Sequence, residues 1–325
     1  MSSKHILCIG EASVDFLSQQ KGVPLSEVKE YKKRLAGEAE LAVKIARRTG
    51  SCALLSKVGN DRFGKLIRSY LQKENVDTRF LYVDKDKDTT VSFTALDEDG
   101  NYVEKQYLTR GADLNLQSRE IGLRVLENVS LLHYDSYSIL SDNYRALSAI
   151  LSWSYKMDAF RAFSLANDLV LRNKKDRDLI RSVLNVTDLF CLNEDQLKYL
   201  TGLWSPDFAC EMLFRENNEL REILVEEDGY IHLYCRDDRH ERVPLVKGRE
   251  TDFLAAYLSL IADDRKANRF GFLKAAAVLI NFRAELHFLG NKTAGFPAVF
   301  CCFGRKKMLF PDKKRNADIR CSNGI

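Results

Sequence analysis

Residues 52–71 read Cys52-Ala-Leu-Leu-Ser-Lys-Val-Gly-Asn-Asp-Arg-Phe-Gly-Lys-Leu-Ile-Arg-Ser-Tyr-Leu71. The part from Cys52 to Val58 is an apolar run of strand length, and the apolar side chains that follow it recur at helical spacing. These side chains are Phe63, Leu66, Ile67, Tyr70 and Leu71. The stretch therefore predicts a strand followed by an amphipathic helix.

The same alternation of strand-like and helix-like segments extends along the chain in both directions. The strand candidates are Ile6–Ile9, Ser130–Tyr134, Ala159–Ser164 and Leu189–Leu192, and the upstream helix candidate is Ala39–Arg48. Such alternation is typical of an α/β fold in which helices cover both faces of a mostly parallel sheet. Since ligands of such sheets bind at the carboxyl ends of the strands, functional residues are expected in the loops that follow these runs.

One stretch departs from this pattern. Residues Thr89–Leu96 and Asn101–Leu108 alternate with period two on either side of the turn Asp97-Glu-Asp-Gly100. This pattern predicts an antiparallel hairpin, inserted at about residues 88–112. Two interpretations stay open: a flap that covers a ligand and excludes water, or an edge hairpin without a function.

Composition limits the class of protein. The chain has 325 residues, of which 45% are hydrophobic, and its 50 Lys plus Arg nearly balance 46 Asp plus Glu, giving a net charge of +4. A disordered or fibrous protein is therefore excluded, and the whole chain has no general attraction to nucleic acid or membrane. With only 5 Pro, we expect one continuous domain over residues 1–300 and a basic carboxyl-terminal tail over 301–325.

The lengths of the apolar runs and the spacing of the cysteines indicate the location of the protein and the role of its thiols. The apolar run His5–Ile9 is too short for a signal peptide, and no stretch approaches the roughly 20 apolar residues of a membrane span. A soluble, cytoplasmic protein is expected. The 8 Cys include no Cys-x-x-Cys spacing, so they are interpreted as buried thiols rather than as metal ligands.

Four segments occur in the order found in one family. They are Ile9–Phe16, Ala36–Val43, Lys57–Gly64 and Leu192–Gln196. From residue 5 to about residue 285, the chain resembles the ribokinase/PfkB carbohydrate kinases, most closely their fructokinase-like branch. The resemblance implies an α/β, ribokinase-like three-layer αβα sandwich with a mostly parallel central sheet and a small β lid, formed here by residues 89–108. It also implies transfer of the γ-phosphoryl group of ATP to a sugar hydroxyl with Mg²⁺, and a homodimer through the lid.

The resemblance assigns two substrate-side positions. Asp15 matches the carboxylate that clamps two sugar hydroxyls; as an alternative, it is a cap or turn residue after the first strand. The substrate motif of the family begins Gly-Gly and carries an Asn, and these positions are Ala36, Gly37 and Leu41 here. Gly37 still permits close approach of a ligand to the backbone. Leu41 cannot form a hydrogen bond, so the resemblance predicts weakened sugar recognition.

The catalytic motif of the family is altered. Family members use Gly-Ala-Gly-Asp at a helix start, where amides hold the transferring phosphate and the Asp takes the proton. Aligned on Phe253, this motif reads Gly248-Arg249-Glu250-Thr251 here. Glu250 repels phosphate, Thr251 cannot act as a carboxylate base, and Asp252 lies one residue late. Because one residue turns a helical side chain by ~100°, we expect Asp252 to point away from the cleft.

The nucleotide side is altered as well. The family sequence Asn-x-x-Glu, which orients magnesium-bound water, ends in the neutral Gln196 here, and the following nucleotide turn, Val225–Tyr230, is acidic. Asn193 and Gly248 are the remaining candidates for contacts with ATP and Mg²⁺.

Three hypotheses follow. In the first, the chain is a catalytically impaired kinase homologue, a pseudokinase, that retains its fold and possible binding of a small-molecule sugar. In the second, it is an active ATP-dependent sugar kinase with Asp252 as its base. In the third, it is an oligomeric scaffold in which lid strands pair and the basic tail is a docking segment for an acidic partner rather than a solvated end. No hypothesis includes nucleic acid or a membrane.

Overall fold

The computed structural model describes residues 5–100, 102–109, 111–139, 143–165, 174–246, 248–264 and 268–289, except for the side chains of residues 102 and 282–289. The described residues from His5 to Ala284 belong to one compact unit. A second unit begins at Glu285, and its described part, residues 285–289, is helical backbone. The predicted boundary at residue 300 and the basic tail lie outside the described residues.

Strands and helices alternate along the chain. The strands are β1 (His5–Ile9), β2 (Ser13–Lys21), β3 (Tyr31–Ala36), β4 (Cys52–Gly59), β5 (Val76–Asp77), β6 (Leu81–Asp84), β7 (Val91–Leu96), β8 (Tyr102–Thr109), β9 (Val129–Asp135), β10 (Phe160–Ser164), β11 (Leu189–Asn193), β12 (Glu222–Glu227), β13 (Tyr230–Cys235) and β14 (His240–Pro244). The helices are α1 (Glu38–Thr49), α2 (Arg62–Lys73), α3 (Ser136–Ile139), α4 (Asn143–Lys156), α5 (Lys174–Leu184), α6 (Glu194–Thr201), α7 (Pro206–Glu216), α8 (Glu250–Asp263) and α9 (Arg269–Leu289). Among the described helices, none combines the length and the apolar character that a membrane crossing requires.

The central sheet has the order β14-β13-β12-β11-β10-β9-β1-β4-β5, with β6 also paired to β4. The strands from β12 to β5 are parallel, whereas β13 and β14 are antiparallel. Successive side chains of a strand face opposite layers. Ile6 and Cys8 therefore join one hydrophobic core with α1 and α8, and Leu7 and Ile9 join the other, with α4 to α7. This confirms the predicted three-layer arrangement.

The stretch over residues 52–71 forms β4 and α2 as predicted. Asp61 caps α2 by accepting a hydrogen bond from the Gly64 amide at 2.8 Å, and it also accepts from the Thr89 amide at 2.7 Å. Burial opposes ionisation of Asp61, but these donations outweigh it and lower its pKa. A Cβ on Gly64 would lie 2.2 Å from the Gly59 carbonyl oxygen. The residues that carry the family resemblance here thus join a strand, a helix and the start of β7.

The lid is larger than predicted. Strands β7 and β8 form the expected hairpin, but β2 and β3 extend it to a four-stranded sheet of order β3-β2-β7-β8. Phe16 of β2 lies opposite Phe93 of β7, and their rings stack with centroids 5.0 Å apart. This cross-strand pair stabilises the register of the two neighbouring strands. Asp15 therefore lies in a lid strand, and its interpretation as a cap or turn residue is wrong.

Candidate functional site

A cleft of about 830 Å³ lies between the lid and the carboxyl ends of the central strands. The lid contributes Arg34, Val103 and Lys105 among others, and the central strands contribute Ser164 and Glu226. The position agrees with the rule that parallel sheets bind ligands beyond the carboxyl ends of their strands. Its volume is that of a small-molecule site.

Asp15 is already fully engaged within the protein. Its side chain is 1% exposed, and one oxygen accepts hydrogen bonds from the Ser92 and Thr94 hydroxyls, each at 2.8 Å. The other oxygen accepts from the Arg34 guanidinium, with both contacts at 2.9 Å. The cross-strand register aligns Asp15 with Arg34 on one side and Ser92 on the other. Arg34 and Thr94, which both bind Asp15, line the cleft, whereas Asp15 is not part of that lining. The role of Asp15 as a sugar clamp stays a prediction.

Gly37 is required by the backbone where lid and α1 meet. Its φ is 66° and its ψ is −148°, a conformation that is essentially restricted to glycine. A Cβ there would also lie 2.5 Å from the Cβ of Glu11. Gly37 and the buried Leu41 both line the cleft, so this wall has an apolar side chain where the related motif carries an amide.

Sequence reasoning missed a buried acidic wall of the cleft. Glu11, Glu38 and Asp135 are each 5% exposed or less, and all three line the cleft. Burial, together with repulsion from Glu38 and Glu11, raises the pKa of Asp135 well above its usual range. Asp135 ends a predicted strand, so the strand-end rule could have found it. Its grouping with Glu11 and Glu38 required the tertiary structure.

At the start of α8, side chains of the helix itself bind groups that would otherwise face the cleft. The Gly248 amide donates to Glu250 Oε1 at 2.7 Å, so the first amide of the altered catalytic motif is already bonded to a carboxylate. Glu250 and Thr251 line the cleft. Asp252 lies outside this lining and pairs with Arg249 Nη1 at 3.2 Å and Lys44 Nζ at 3.4 Å.

Asn193 is engaged in capping α6. Its side-chain oxygen accepts from the Gln196 amide at 2.8 Å, and the Asn193 amide donates to Gln196 Oε1 at 3.1 Å. This reciprocal pair satisfies two amides at the helix start. The side-chain oxygens of Asn193 and Gln196 thus both accept hydrogen bonds from amides at the helix start. The predicted ATP contact of Asn193 stays a prediction.

The nucleotide side of the cleft is acidic. Burial, followed by repulsion from Glu250, raises the pKa of Glu226 to about 7. The carboxyl groups of Glu226 and Glu250 thus lie close together in the wall beside the start of α8. A nucleotide triphosphate does not fit these residues, because its phosphates would meet carboxylates where amides are needed. Within the described part of the chain, no group of three or more His, Cys, Asp or Glu is arranged to hold a metal ion.

The raised pKa of Glu226 predicts a pH effect on stability. The folded protein binds the proton more tightly than the unfolded chain does, so this contribution is complete below the ordinary pKa of 4.5 and is lost as pH rises through about 7. Glu226→Gln should therefore be more stable than the native protein at pH 8, by about 1–2 kcal/mol after allowance for partial exposure. Urea unfolding at pH 8 and at pH 4.5 measures the difference, which should shrink at the lower pH.

The matched control is Glu216→Gln, which alters an exposed carboxylate on α7. It should show no such gain at pH 8. Equal unfolding free energies for Glu226→Gln and the native protein at pH 8 would contradict the raised pKa of Glu226.

Comparisons with known proteins agree with this architecture. "Probable fructokinase-7" of Arabidopsis thaliana is 28% identical over 280 residues, covering 81% of this chain and 80% of that protein. The PfkB protein of Polaromonas sp. JS666 superposes with a TM-score of 0.72 at 19% identity, covering 87% of this chain and 96% of that one. A Vibrio cholerae fructokinase double mutant, with fructose, ADP and potassium bound, gives a TM-score of 0.71 at 20% identity, covering 85% and 90%.

These neighbours confirm the ribokinase-like fold. The sequence model of the pfkB family carbohydrate kinases matches residues 3–229, which is more than half of the 325 residues. The predicted resemblance is thus confirmed, and the chain belongs to the PfkB family of carbohydrate kinases.

Proposed function

We propose that this PfkB-family protein binds a small polyhydroxyl ligand of the sugar class in its cleft and has lost ATP-driven phosphoryl transfer. The observation that carries the proposal is the start of α8. There, the Gly248 amide is bonded to the Glu250 carboxylate, Thr251 occupies the position of the base, and Asp252 is paired with Lys44 and Arg249.

The magnitudes support a loss of turnover rather than a modest reduction. A positioned general base contributes roughly 10²–10⁴-fold in rate, and each oxyanion donor roughly 10²–10³-fold. With both contributions missing, the expected rate falls by about four or more powers of ten. The acidic side chains of Glu226 and Glu250 act in the same direction, because they oppose binding of a polyanion.

ATP and Mg²⁺ would be the cofactors of an active family member. The residues at the nucleotide side do not fit a triphosphate, because the carboxyl groups of Glu226 and Glu250 lie where its phosphates would bind. On the ligand side, the lid sheet, the cleft and the Gly37 turn are present. Buried carboxylates and Arg34 offer both acceptors and donors for hydroxyl groups.

An interaction role is the second candidate. Strand β8 is an edge of the lid sheet, and its Val103 and Leu108 are 60% and 65% exposed. Exposed edge strands pair readily with another chain. A homodimer through the lid and a cytoplasmic location stay predictions.

Calorimetry on the full chain tests the main proposal. ATP and ADP, each with Mg²⁺, should give no binding heat, whereas at least one member of a panel of hexoses, pentoses and polyols should bind. Such a ligand at 100 times its Kd should raise stability by about 2.7 kcal/mol in a thermal-shift assay. A coupled assay should detect no ATP-dependent phosphorylation, and turnover of any sugar at about 1 per second or faster, the rate of ordinary enzymes, would reject the proposal.

A further inference from the structure

Three side chains in the cleft wall form a continuous hydrogen-bonded chain. His133 Nδ1 lies 2.9 Å from Glu38 Oε2, and His133 Nε2 lies 2.7 Å from Ser164 Oγ. The atoms therefore follow the order carboxylate, imidazole, hydroxyl. Both distances fall within the 2.6–3.2 Å range expected for a nucleophile, its base and the group that orients the base.

Three elements of the fold contribute one side chain each to this arrangement. Glu38 is the first residue of α1, while His133 and Ser164 lie on the neighbouring parallel strands β9 and β10. The register pairs Ala162 with His133, so Ser164 is two residues farther along and on the same face. Glu38 and His133 are at most 4% exposed. Ser164 is only partly buried, and all three side chains line the cleft.

The partners select one state of the imidazole. In the arrangement that the relay requires, Nδ1 donates to Glu38 Oε2 and Nε2 accepts the hydrogen bond from the Ser164 hydroxyl. This tautomer is the one that can remove the Ser164 proton. A carboxylate on the far nitrogen also stabilises the imidazolium that forms.

Cys191 is the competing nucleophile in the same wall. It lines the cleft and forms a hydrogen bond with Ser164. Burial raises the pKa of the Cys191 thiol to about 12, which disfavours the reactive thiolate at neutral pH. Ser164, with its base in place, is therefore the better prepared nucleophile.

Asp135 supplies a donor for the charge that an attack would create. It lies directly opposite Ser164 in the strand register and lines the cleft. Burial and the neighbouring carboxylates raise the pKa of Asp135 well above the usual range, which favours its protonated form. A protonated carboxyl group can donate a hydrogen bond to an oxyanion.

We propose that Ser164, His133 and Glu38 form a nucleophilic relay that cleaves carboxylic esters of polyhydroxyl compounds in this cleft. The Ser164 oxygen attacks the ester carbonyl carbon while His133 Nε2 takes the hydroxyl proton. The tetrahedral intermediate then expels the alcohol, which receives that proton from His133. Water then attacks the acyl-serine carbonyl carbon and gives a proton to His133. The second tetrahedral intermediate expels the Ser164 oxygen, which takes that proton back from His133, and the carboxylic acid is released. Ser164 and His133 are catalytic residues, and Glu38 is a positioning residue.

The relay itself is independent of the loss of phosphoryl transfer, and only the polyhydroxyl part of the substrate rests on the proposed function. The test uses a fluorophosphonate probe, which reacts with activated serines and needs neither ATP nor a sugar. We expect the full-length native protein to be labelled, with the adduct mapped to Ser164 by mass spectrometry. Hydrolysis of p-nitrophenyl acetate and of an acetylated sugar is measured in parallel.

Variants separate the relay from a purely structural network. Ser164→Ala should abolish labelling. Glu38→Gln should lower the labelling rate at least tenfold without a matching loss of melting temperature, and Glu38→Asp should recover part of that rate because it keeps the carboxylate. Ser152→Ala on the exposed face of α4 should be labelled like the native protein. A folded native protein that is not labelled, or a Ser164→Ala variant that is labelled equally, would overturn the relay.

Failure of the proposed function gives a different pattern. ATP binding or sugar phosphorylation by the native protein would reject that function and leave the Ser164 adduct unaffected. Labelling without hydrolysis of the acetylated sugar would contradict the assigned substrate class.

Discussion

ATP-dependent sugar phosphorylation is expected in a variant that combines Arg249→Ala, Glu250→Gly and Thr251→Asp, at a rate at least 10²-fold above that of the native protein. The changes replace Thr251 by a carboxylate base and free the Gly248 amide, which now donates to Glu250. They also remove the negative charge that faces Glu226. A coupled ADP-release assay over a sugar panel measures the rate, and calorimetry measures ADP binding.

A matched control separates the base from the anion site. The same variant with Thr251→Asn in place of Thr251→Asp has a side chain of similar shape without the carboxylate. It should bind ADP as the first variant does, but without its turnover. If the native protein is already active and Asp252→Asn abolishes that activity, Asp252 is the base and the proposed loss of phosphoryl transfer is wrong.

Arg34→Ala should destabilise the protein by about 2–3 kcal/mol. The substitution leaves the Asp15 carboxylate 1% exposed, with the Ser92 and Thr94 hydroxyls as its remaining donors. An uncompensated buried charge is costly, although the 30% exposure of Arg34 allows water to enter and reduces the effect. Urea unfolding at neutral pH measures the change.

Arg79→Ala is the control for Arg34→Ala. Arg79 also pairs with an aspartate, Asp77, but its side chain is 73% exposed, so the loss should stay below about 1 kcal/mol. Equal effects of the two substitutions would contradict the structural role of Arg34. A sugar that raises the melting temperature of Arg34→Ala, but not that of the native protein, would identify Arg34 as the group that keeps Asp15 from a ligand.

Local pattern was sufficient to predict much of the central layer. The apolar runs at Ile6–Ile9, Ser130–Tyr134 and Leu189–Leu192 all lie within observed strands, because a strand buried on both faces needs continuous apolar sequence. The side chains of Tyr134, Phe163 and Phe190 stack across β9, β10 and β11, with centroids 5.2 and 5.4 Å apart, and this stacking follows from the parallel register.

The lid shows where local pattern was not enough. In β2, Asp15 lies between Val14 and Phe16, and the residues after Leu17 are all polar. The sequence therefore left open a cap or turn at Asp15 and did not predict this strand. Its pairing depends on β3 and β7, the latter more than 70 residues away for the contact between Asp15 and Ser92. Strands β2 and β3 were not predicted because β7, which pairs with β2, is distant in the chain.

The amino-acid sequence by itself determined the layered fold, the membership in the family and the altered residues at the start of α8, because periodicity and short motifs are properties of neighbouring residues. Only the tertiary structure decided that Arg34 forms an ion pair with Asp15 and that Glu38, His133 and Ser164 meet in one wall of the cleft. These side chains come from separate strands and a helix, and their distances depend on the packing of those elements. No local pattern in the chain records such distances.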